Sequence, residues 1–590
     1  MKKLSKSAEA LLKNRYLLRD KNGKVCETPQ QLFQRAAKAA AGAEALYCQA
    51  LQRKQLERRF AELMCDGLFL PNSPALMNAG TDIGQLMACF VLPVEDSLSS
   101  IFDCLRSAAL IHQSGGGTGF NFGGLRKKGD IVKRTHGVSS GPVSFMRLFD
   151  AAADTVRQGG RRRGANMGIL PFDHPDIIEF IEAKKGRASL TNFNLSVLIS
   201  DKFMASLKKG GSYPVIDPRT KKPCARKDAH ELFLKLVENA WESGDPGVLF
   251  ADRINRDNPL PKLGRIEATN PCGEQPLLPY EACVLGSIAI CEFAKGDGVD
   301  FKKLGDTVHL AVRFLDDLID ASKYPLPQIE EATKASRKIG LGIMGFADLL
   351  IKLGLPYSSQ KAVALAEKIM KFVQEEGRSA SEELGKIRGS FPAFKESIYR
   401  NKFKALRNAS VATVAPTGAL SIIAGCSSGI EPIFAVAWAR QLGGKEEVTE
   451  HNTMFEQAAK KGGFWSSDTI KSILLNEGSV SCLEGMSDNI KALFARGLDI
   501  PAHWHVSMAA AFQKYTDGGV SKTVNLLPGA TKEDVRDIFL LSHKLKCKGI
   551  TVFRSGCKKE KELCIKPEDT GRVVVESDFS GGSAAGYCCA

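Results

Sequence analysis

Residues 1–70 carry apolar side chains three or four positions apart. The stretches KSAEALLKNRYL and TPQQLFQRAAKAAAGAEALYCQALQRKQLERRFAELM each gather one apolar face at helical spacing, and Thr28-Pro29 is placed as an N-cap followed by a first-turn proline. From Leu70 onward the pattern changes. Short β-prone runs (ACFVLPV, NLSVLI, GVLFA, SVATVAP, KGITVF) alternate with helical stretches such as HPDIIEFIEAKK and DAHELFLKLVENAW. Strands interleaved with helices over so long a span predict an α/β architecture. No internal repeat of solenoid length occurs. After Cys557 the chain turns polar, and SGGSAAG reads as a flexible linker. The expected organisation is an N-terminal helical domain over 1–70, a large α/β body over 71–556 and a flexible, cysteine-containing tail over 557–590.

Composition narrows the class of protein. The chain has 590 residues, 44% hydrophobic and 25% charged, which excludes a disordered or fibrous protein. The longest apolar runs, around Ile433–Ala439 and Leu285–Ile290, are strand-sized and far short of a bilayer span. The basic N-terminus lacks the apolar core of a signal peptide, so a soluble, cytoplasmic protein is expected. The 16 cysteines are spread over the chain without CxxC pairs, so neither a secreted disulfide scaffold nor a structural zinc site is expected. A net charge of +15 admits nucleic acid, phosphorylated small molecules or simply a solvated basic surface. No RNP, zinc-finger or helix-turn-helix signature supports the first of these.

The segment Asn270-Pro271-Cys272-Gly273-Glu274 holds the most chemistry. In an extended backbone its amide, thiol and carboxylate would share one side, although the interleaved proline and glycine suit a tight loop. A plain loop with an incidental buried cysteine is the competing reading. Elsewhere lie LPNSPALMNAG with Ser73, MACFVLPVEDS with Ala88 and Cys89, GGGTGFNF with Gly117, and YEACVLGSI with Cys283. The turn Pro416-Thr417-Gly418-Ala419-Leu420-Ser421 offers small residues, hydroxyls and backbone N–H groups suited to phosphate oxygens.

In this order, with GGGTGFNFGGLRKKGD, RQGGRRRGANMGIL, NPCGEQPL, APTGALSIIAGCSSGIEPIF, SKTVNL and KGITVFRSG, the segments resemble the catalytic subunit of ribonucleotide reductase, in its vitamin B12-dependent (class II) branch. The likeness runs from about Tyr16 to Gly556. It implies a ten-stranded α/β barrel with the NPCGE loop through its centre, and a thiyl-radical reduction of ribonucleoside diphosphates to deoxyribonucleotides for DNA synthesis, started by adenosylcobalamin. On this resemblance Cys272 is the radical cysteine, Glu274 the base for the 3′-hydroxyl, and Asn270 the sugar's hydrogen-bond partner. Cys89 and Cys283 are the reducing pair that ends as a disulfide, which needs Cα atoms roughly 4.4–6.8 Å apart. Ser73, Ala88, Cys89, Gly117 and Pro416–Ser421 map onto nucleotide-binding positions. No DxHxxG motif occurs, so no histidine ligand to the cobalt is expected. Where radical-importing relatives end their relay in adjacent tyrosines, this chain has Val552-Phe553, which cannot lose a phenolic hydrogen. A subunit needing a separate radical-generating partner, and a non-catalytic nucleotide-binding barrel, are the alternatives.

The resemblance also implies regulation and reduction in trans. Arg157 and Arg161, Arg162 and Arg163, flanked by glycines, match the loop through which deoxynucleotide or ATP effectors at a dimer interface set substrate choice. Cys588 and Cys589 match, except in being adjacent, the tail cysteines that pass electrons from thioredoxin; Cys557 and Cys564 are the alternative pair. A flexible tail of this length spans roughly 30 Å, enough to reach a barrel interior. A homodimer is expected, without an ATP-cone and hence without an overall dATP off-switch, and with neither nucleic-acid nor membrane binding.

Overall fold

The structure, a computed structural model, describes residues 1–131, 136–156, 164–186, 189–442, 446–557, 566–567 and 573–575. The N-terminal segment is helical, as its spacing predicts. Thr28 caps the helix Pro29–Ala43 in a full capping box with Gln31, Pro29 occupying the first turn. The buried alanines Ala36, Ala37, Ala40 and Ala41 let this helix approach Ala50–Cys65 and Phe301–Ala321 closely.

Behind that contact lies a buried ionic cluster that joins the helical segment to the barrel. Arg388 reaches Glu44 at 2.5 Å, Asp317 at 2.7 Å and Asp316 at 2.9 Å, and Asp316 also receives Arg337 and Arg407. Burial alone would raise the Glu44 carboxyl, but Arg313 and Arg388 outweigh it and hold the group down to about 2. Burial instead pushes Asp317 well above the usual carboxylate range. Removing one partner from such a cluster leaves uncompensated charge behind. Arg388→Met is therefore expected to cost about 3–5 kcal/mol, read as a fall in the urea midpoint, with little change on the exposed control Arg58→Met.

The largest sheet has ten strands: β1 (Phe69–Pro71), β2 (Cys89–Val91), β3 (Gly117–Asn121), β4 (Asn166–Pro171), β5 (Phe193–Ile199), β6 (Gly247–Phe250), β7 (Ala282–Ala289), β8 (Ile339–Met344), β9 (Thr523–Leu526) and β10 (Gly549–Arg554). Strands β2 to β6 form one parallel half. Strands β7 and β8 pair in parallel, as do β9 and β10, and each of these pairs meets the first half antiparallel, at β7–β2 and β10–β6. The run SVATVAP closes the ring. Parallel bridges join Leu341 to Ala412 and Val414 to Val520, so this segment works as a strand between β8 and β9. Strand β1 covers the remaining edge of β7.

Alternation at period two then sorts side chains between the outer core and the barrel interior. Phe90 and Val284 belong to the outer core, while Cys89, Met167, Leu249, Cys283 and Leu285 share an interior cluster. The β-prone run NLSVLI and the helix in DAHELFLKLVENAW appear as expected, at Phe193–Ile199 and Ala229–Ser243. HPDIIEFIEAKK is helical only over Ile177–Ile181. Its Lys184 turns inward onto Asp245, 2.9 Å away, a tertiary ion pair that outcompetes another helical turn. Outside the barrel, Ala437–Leu442 pairs with Glu446–His451, and the tail residues Val573–Val575 lie beside the first of these strands. Among the described residues no helix is long and apolar enough to cross a membrane.

Candidate active site

The NPCGE segment is the tip of a minimal hairpin whose arms, Ala268–Thr269 and Pro276–Leu277, pair antiparallel. Asn270 closes the tip: its N–H donates to the Gln275 carbonyl at 3.3 Å, and its Oδ1 accepts from the Gln275 N–H at 2.9 Å. The tip threads the barrel and is gripped from several strands. Asn194 of β5 donates to the Pro271 carbonyl at 2.8 Å; the Thr413 hydroxyl and the Gly519 N–H both donate to the Glu274 carbonyl at 2.7 Å. Glycines make room for it. A Cβ at Gly119 would lie 1.7 Å from the Thr269 oxygen, and one at Gly117 would lie 2.9 Å from the Pro271 ring.

The backbone at the tip is a turn, not the extended strand that would place the three side chains in one register. Gly273 adopts φ +80 and its N–H donates back to the Asn270 carbonyl at 3.0 Å. Even so, the two polar groups converge. The Asn270 amide donates to Cys89 Sγ at 3.1 Å, and the Cys89 thiol lies 3.9 Å from Glu274 Oε1. Glu274 is 2% exposed, so its carboxylate is buried.

Cys89 and Cys283 stand directly opposite each other where the two barrel halves meet antiparallel. Such partners have Cα atoms roughly 4.5–5.5 Å apart, inside the window a disulfide needs. Both are free thiols. Burial drives the Cys283 thiol well above its usual range, although the nearby Lys338 pulls the other way. Cys283 is therefore expected to resist iodoacetamide in the native protein at pH 8, whereas the exposed Cys224 and Cys482 react; peptide mass spectrometry reads the difference.

Cys272, half-buried, lines a cavity partly open to solvent. Pro416 and Gly418 also line it. Thr417, between them, holds the left-handed conformation at φ +58, uncommon for a β-branched residue, and its hydroxyl accepts the Gly429 N–H at 2.8 Å. The helix Gly418–Ala424 starts there, leaving the Gly418, Ala419 and Leu420 amides at an end with no intrahelical acceptor, while Ser421 turns its hydroxyl back to the Gly418 carbonyl at 2.9 Å. Ala88 accepts the Gly117 N–H at 2.9 Å, which ties β2 to β3 beside the tip. Ser73 begins the helix Ser73–Asn78 and shares a 2.8 Å hydrogen bond with the Tyr16 hydroxyl. Its neighbour Asn72 accepts from the Leu285 N–H at 2.9 Å, docking that helix on β7.

Two residues of the cavity wall escape reading from sequence. Lys522, in SKTVNL, donates to Glu431 at 2.5 Å and to His505 Nδ1 at 2.8 Å. Burial lowers the lysine and raises the glutamate; each opposes the other's shift, and the Thr523 N–H, donating to Glu431 at 3.0 Å, helps the carboxylate. Their motifs were legible, but nothing local pairs positions so far apart. Arg157, Arg161, Arg162, Arg163, Cys564, Cys588 and Cys589 lie outside the described residues. Cys557 is described, and is buried.

The comparisons agree with this geometry. The family model for the ribonucleotide reductase barrel domain matches residues 87–553, and that for its all-alpha domain matches residues 2–84. A vitamin B12-dependent ribonucleoside-diphosphate reductase of Mycobacterium tuberculosis is 46% identical, covering 99% of this chain and 84% of that protein. One of Thermoplasma acidophilum is 44% identical over 96% and 81%. Among solved structures, the class Id ribonucleotide reductase alpha subunit of Actinobacillus ureae superposes with a TM-score of 0.76 at 25% identity, over 94% of this chain and 97% of that one. A barrel with a cysteine loop at its centre and two opposed thiols beside it, matched over nearly its whole length, places this chain in the ribonucleotide reductase family.

Proposed function

We propose that the protein is an adenosylcobalamin-dependent ribonucleoside-diphosphate reductase. The observation that carries the reading is the threaded Cys272 loop set against the opposed Cys89–Cys283 pair. The cavity at Cys272 offers the nucleoside end of the cofactor apolar walls from Met167 and Leu249, and no histidine is among its lining residues. When bound, adenosylcobalamin supplies a carbon-centred radical from its cobalt–carbon bond. The protein's residues do the rest. Cys272 gives up its hydrogen atom, and the resulting thiyl takes the ribose 3′-hydrogen. Glu274 accepts the proton of the 3′-hydroxyl, which requires its carboxylate form, while Asn270 orients the sugar. Cys89 protonates the departing 2′-hydroxyl, which leaves as water. The Cys283 hydrogen then goes to C2′ as Cys89 and Cys283 contribute two electrons and close as a disulfide, the proton on Glu274 returns to the 3′-oxygen, and Cys272 returns its hydrogen to C3′.

Strand β10 carries Val552 and Phe553 where a radical relay would need tyrosine, which favours a radical made in place over one imported from a second subunit. The Pro416–Ser421 turn suits the diphosphate, with Ser73, Ala88 and Gly117 completing the nucleotide site. The Arg157 and Arg161–Arg163 loop suits an effector deoxynucleotide or ATP at a homodimer interface, and Cys588–Cys589 suits relay of electrons from thioredoxin in the cytoplasm. Residues 1–70, 71–556 and 557–590 serve this scheme as helical domain, catalytic barrel and tail.

Anaerobic turnover of CDP and ADP with dithiothreitol tests the reading, with and without adenosylcobalamin and with Cys272→Ala as blank. Deoxynucleotide is expected only with cofactor and intact Cys272; product formed without cobalamin would refute it. Two further outcomes check the finer parts. The Cys588→Ser/Cys589→Ser double variant is expected to lose thioredoxin-driven turnover and keep dithiothreitol-driven turnover. Adding dTTP, dATP, dGTP or ATP is expected to change the ratios among the four substrates, and unchanged ratios would sink the effector assignment.

A further inference from the structure

Away from the reducing pair, Cys291, Asp348 and Cys426 meet in the interior, with one donor atom from each lying within 4.8 Å of the others. They come from three separate segments: Cys291 just past β7, Asp348 from the helix Phe346–Lys352 that follows β8, and Cys426 just past the helix Gly418–Ala424. We propose that these three side chains form a zinc site, which clamps the loop from Cys426 to Glu431 against the ends of β7 and β8.

The chemistry of the donors suits zinc. Two thiolates and a carboxylate suit borderline-soft zinc, and a tetrahedral ion with bonds of roughly 2.0–2.3 Å holds its ligands roughly 3.3–3.8 Å apart, inside the 4.8 Å within which these donors lie. The outer partners are already in place. The Ser427 N–H donates to Asp348 Oδ2 at 2.6 Å, and the Asp348 N–H donates to the Ser427 hydroxyl at 3.3 Å. Glu292 lies outside this group of three, its Oε1 3.8 Å from Cys291 Sγ and paired with Lys2 at 2.8 Å. Gly345 leaves the space: a Cβ there would stand 2.8 Å from Cys291 Sγ and 3.2 Å from Cys426 Cβ.

Charge points the same way. Once both thiols ionise, they make four negative charges with Asp348 and Glu292, met by Lys2, by Lys352, which donates to the Cys291 carbonyl at 2.8 Å, and by a divalent cation. Binding is a simple exchange in which Zn²⁺ displaces the two thiol protons to solvent, with no change of oxidation state. The clamp has a use. Ser428 shares a 2.9 Å hydrogen bond with Ser421, and Ser428 and Glu431 both line the cavity at Cys272. Fixing Cys426 fixes the stretch that shapes that cavity.

The test reads metal, not turnover, so its result is independent of the reaction assigned above. The full chain without cobalamin is stripped with chelator under reducing, anaerobic conditions, then titrated with Zn²⁺ against a chromophoric competitor. The unaltered protein is expected to bind one more tight Zn²⁺ per chain than Cys291→Ser, Cys426→Ser or Asp348→Asn, with affinity at that site at least about 100-fold weaker in each. The exposed-cysteine control Cys482→Ser keeps the site. In the unaltered protein Zn²⁺ is expected to shield Cys291 and Cys426 from alkylation, a readout that survives any folding defect in the variants. Equal zinc uptake by all forms, unshielded cysteines, or a Cys291–Cys426 disulfide standing in place of metal in the isolated protein overturns the proposal.

Discussion

Cys272→Ser is expected to reduce deoxynucleotide formation to background, a loss of at least about 10⁴-fold out of the 10⁶-fold or more that enzymes supply. The substitution exchanges one atom on a half-buried loop side chain that faces open cavity, so packing is nearly unchanged. An alkoxyl radical is much harder to form than a thiyl radical, because an O–H bond is stronger than an S–H bond. The serine therefore neither yields its hydrogen to the initiating radical nor exists in the form that attacks C3′. Thermal midpoint and nucleotide binding should match those of the unaltered protein. Measurable turnover would mean that Cys272 is not the radical residue, and a lowered midpoint would mean that the loop is held by the thiol itself.

Gly119→Ala should be nearly as damaging by a wholly different route. A Cβ on β3 at that point would come within 1.7 Å of the Thr269 oxygen and 2.7 Å of its carbonyl carbon. The obstacle is backbone, which cannot rotate away as a flexible side chain would. Either β3 leaves its register with β2 and β4, or the NPCGE tip moves. Overpacking of this kind costs about 1–3 kcal/mol or more, and a shift of about 1 Å in a reacting group costs about 100-fold in rate. Reduced stability together with at least that loss of kcat is expected, measured by thermal unfolding and anaerobic turnover. By contrast Gly129→Ala, where an added Cβ meets nothing within 4 Å, tests only the strain of a positive φ. If Gly119→Ala retained full activity, the tip would not be held where the structure puts it.

Much of this site was legible before any fold was known, for physical reasons tied to particular residues. Thr28-Pro29 starts a helix because capping is local chemistry. Pro271 and Gly273 predicted a tight loop, and Gly273 does supply the left-handed turn. The shared side that an extended backbone would give Asn270, Cys272 and Glu274 does not arise, because the tip is the tight loop that the proline and glycine favoured. HPDIIEFIEAKK read as a longer helix than it forms, since an ion pair with Asp245 lies outside any window of sequence.

The order of residues alone determined the helical face of the N-terminal segment, the alternation of strands and helices, and the chemical groups on the NPCGE loop, all of which depend on neighbours within a few positions. Tertiary structure decided what those groups meet. The antiparallel junction of two parallel half-barrels sets Cys89 opposite Cys283, closure through Ala412 and Val414 seals the ring around the loop, and burial pairs Lys522 with Glu431. It also gathers Cys291, Asp348 and Cys426 from three segments. These meetings depend on contacts between residues far apart in the chain, and such contacts exist only once the backbone has been packed.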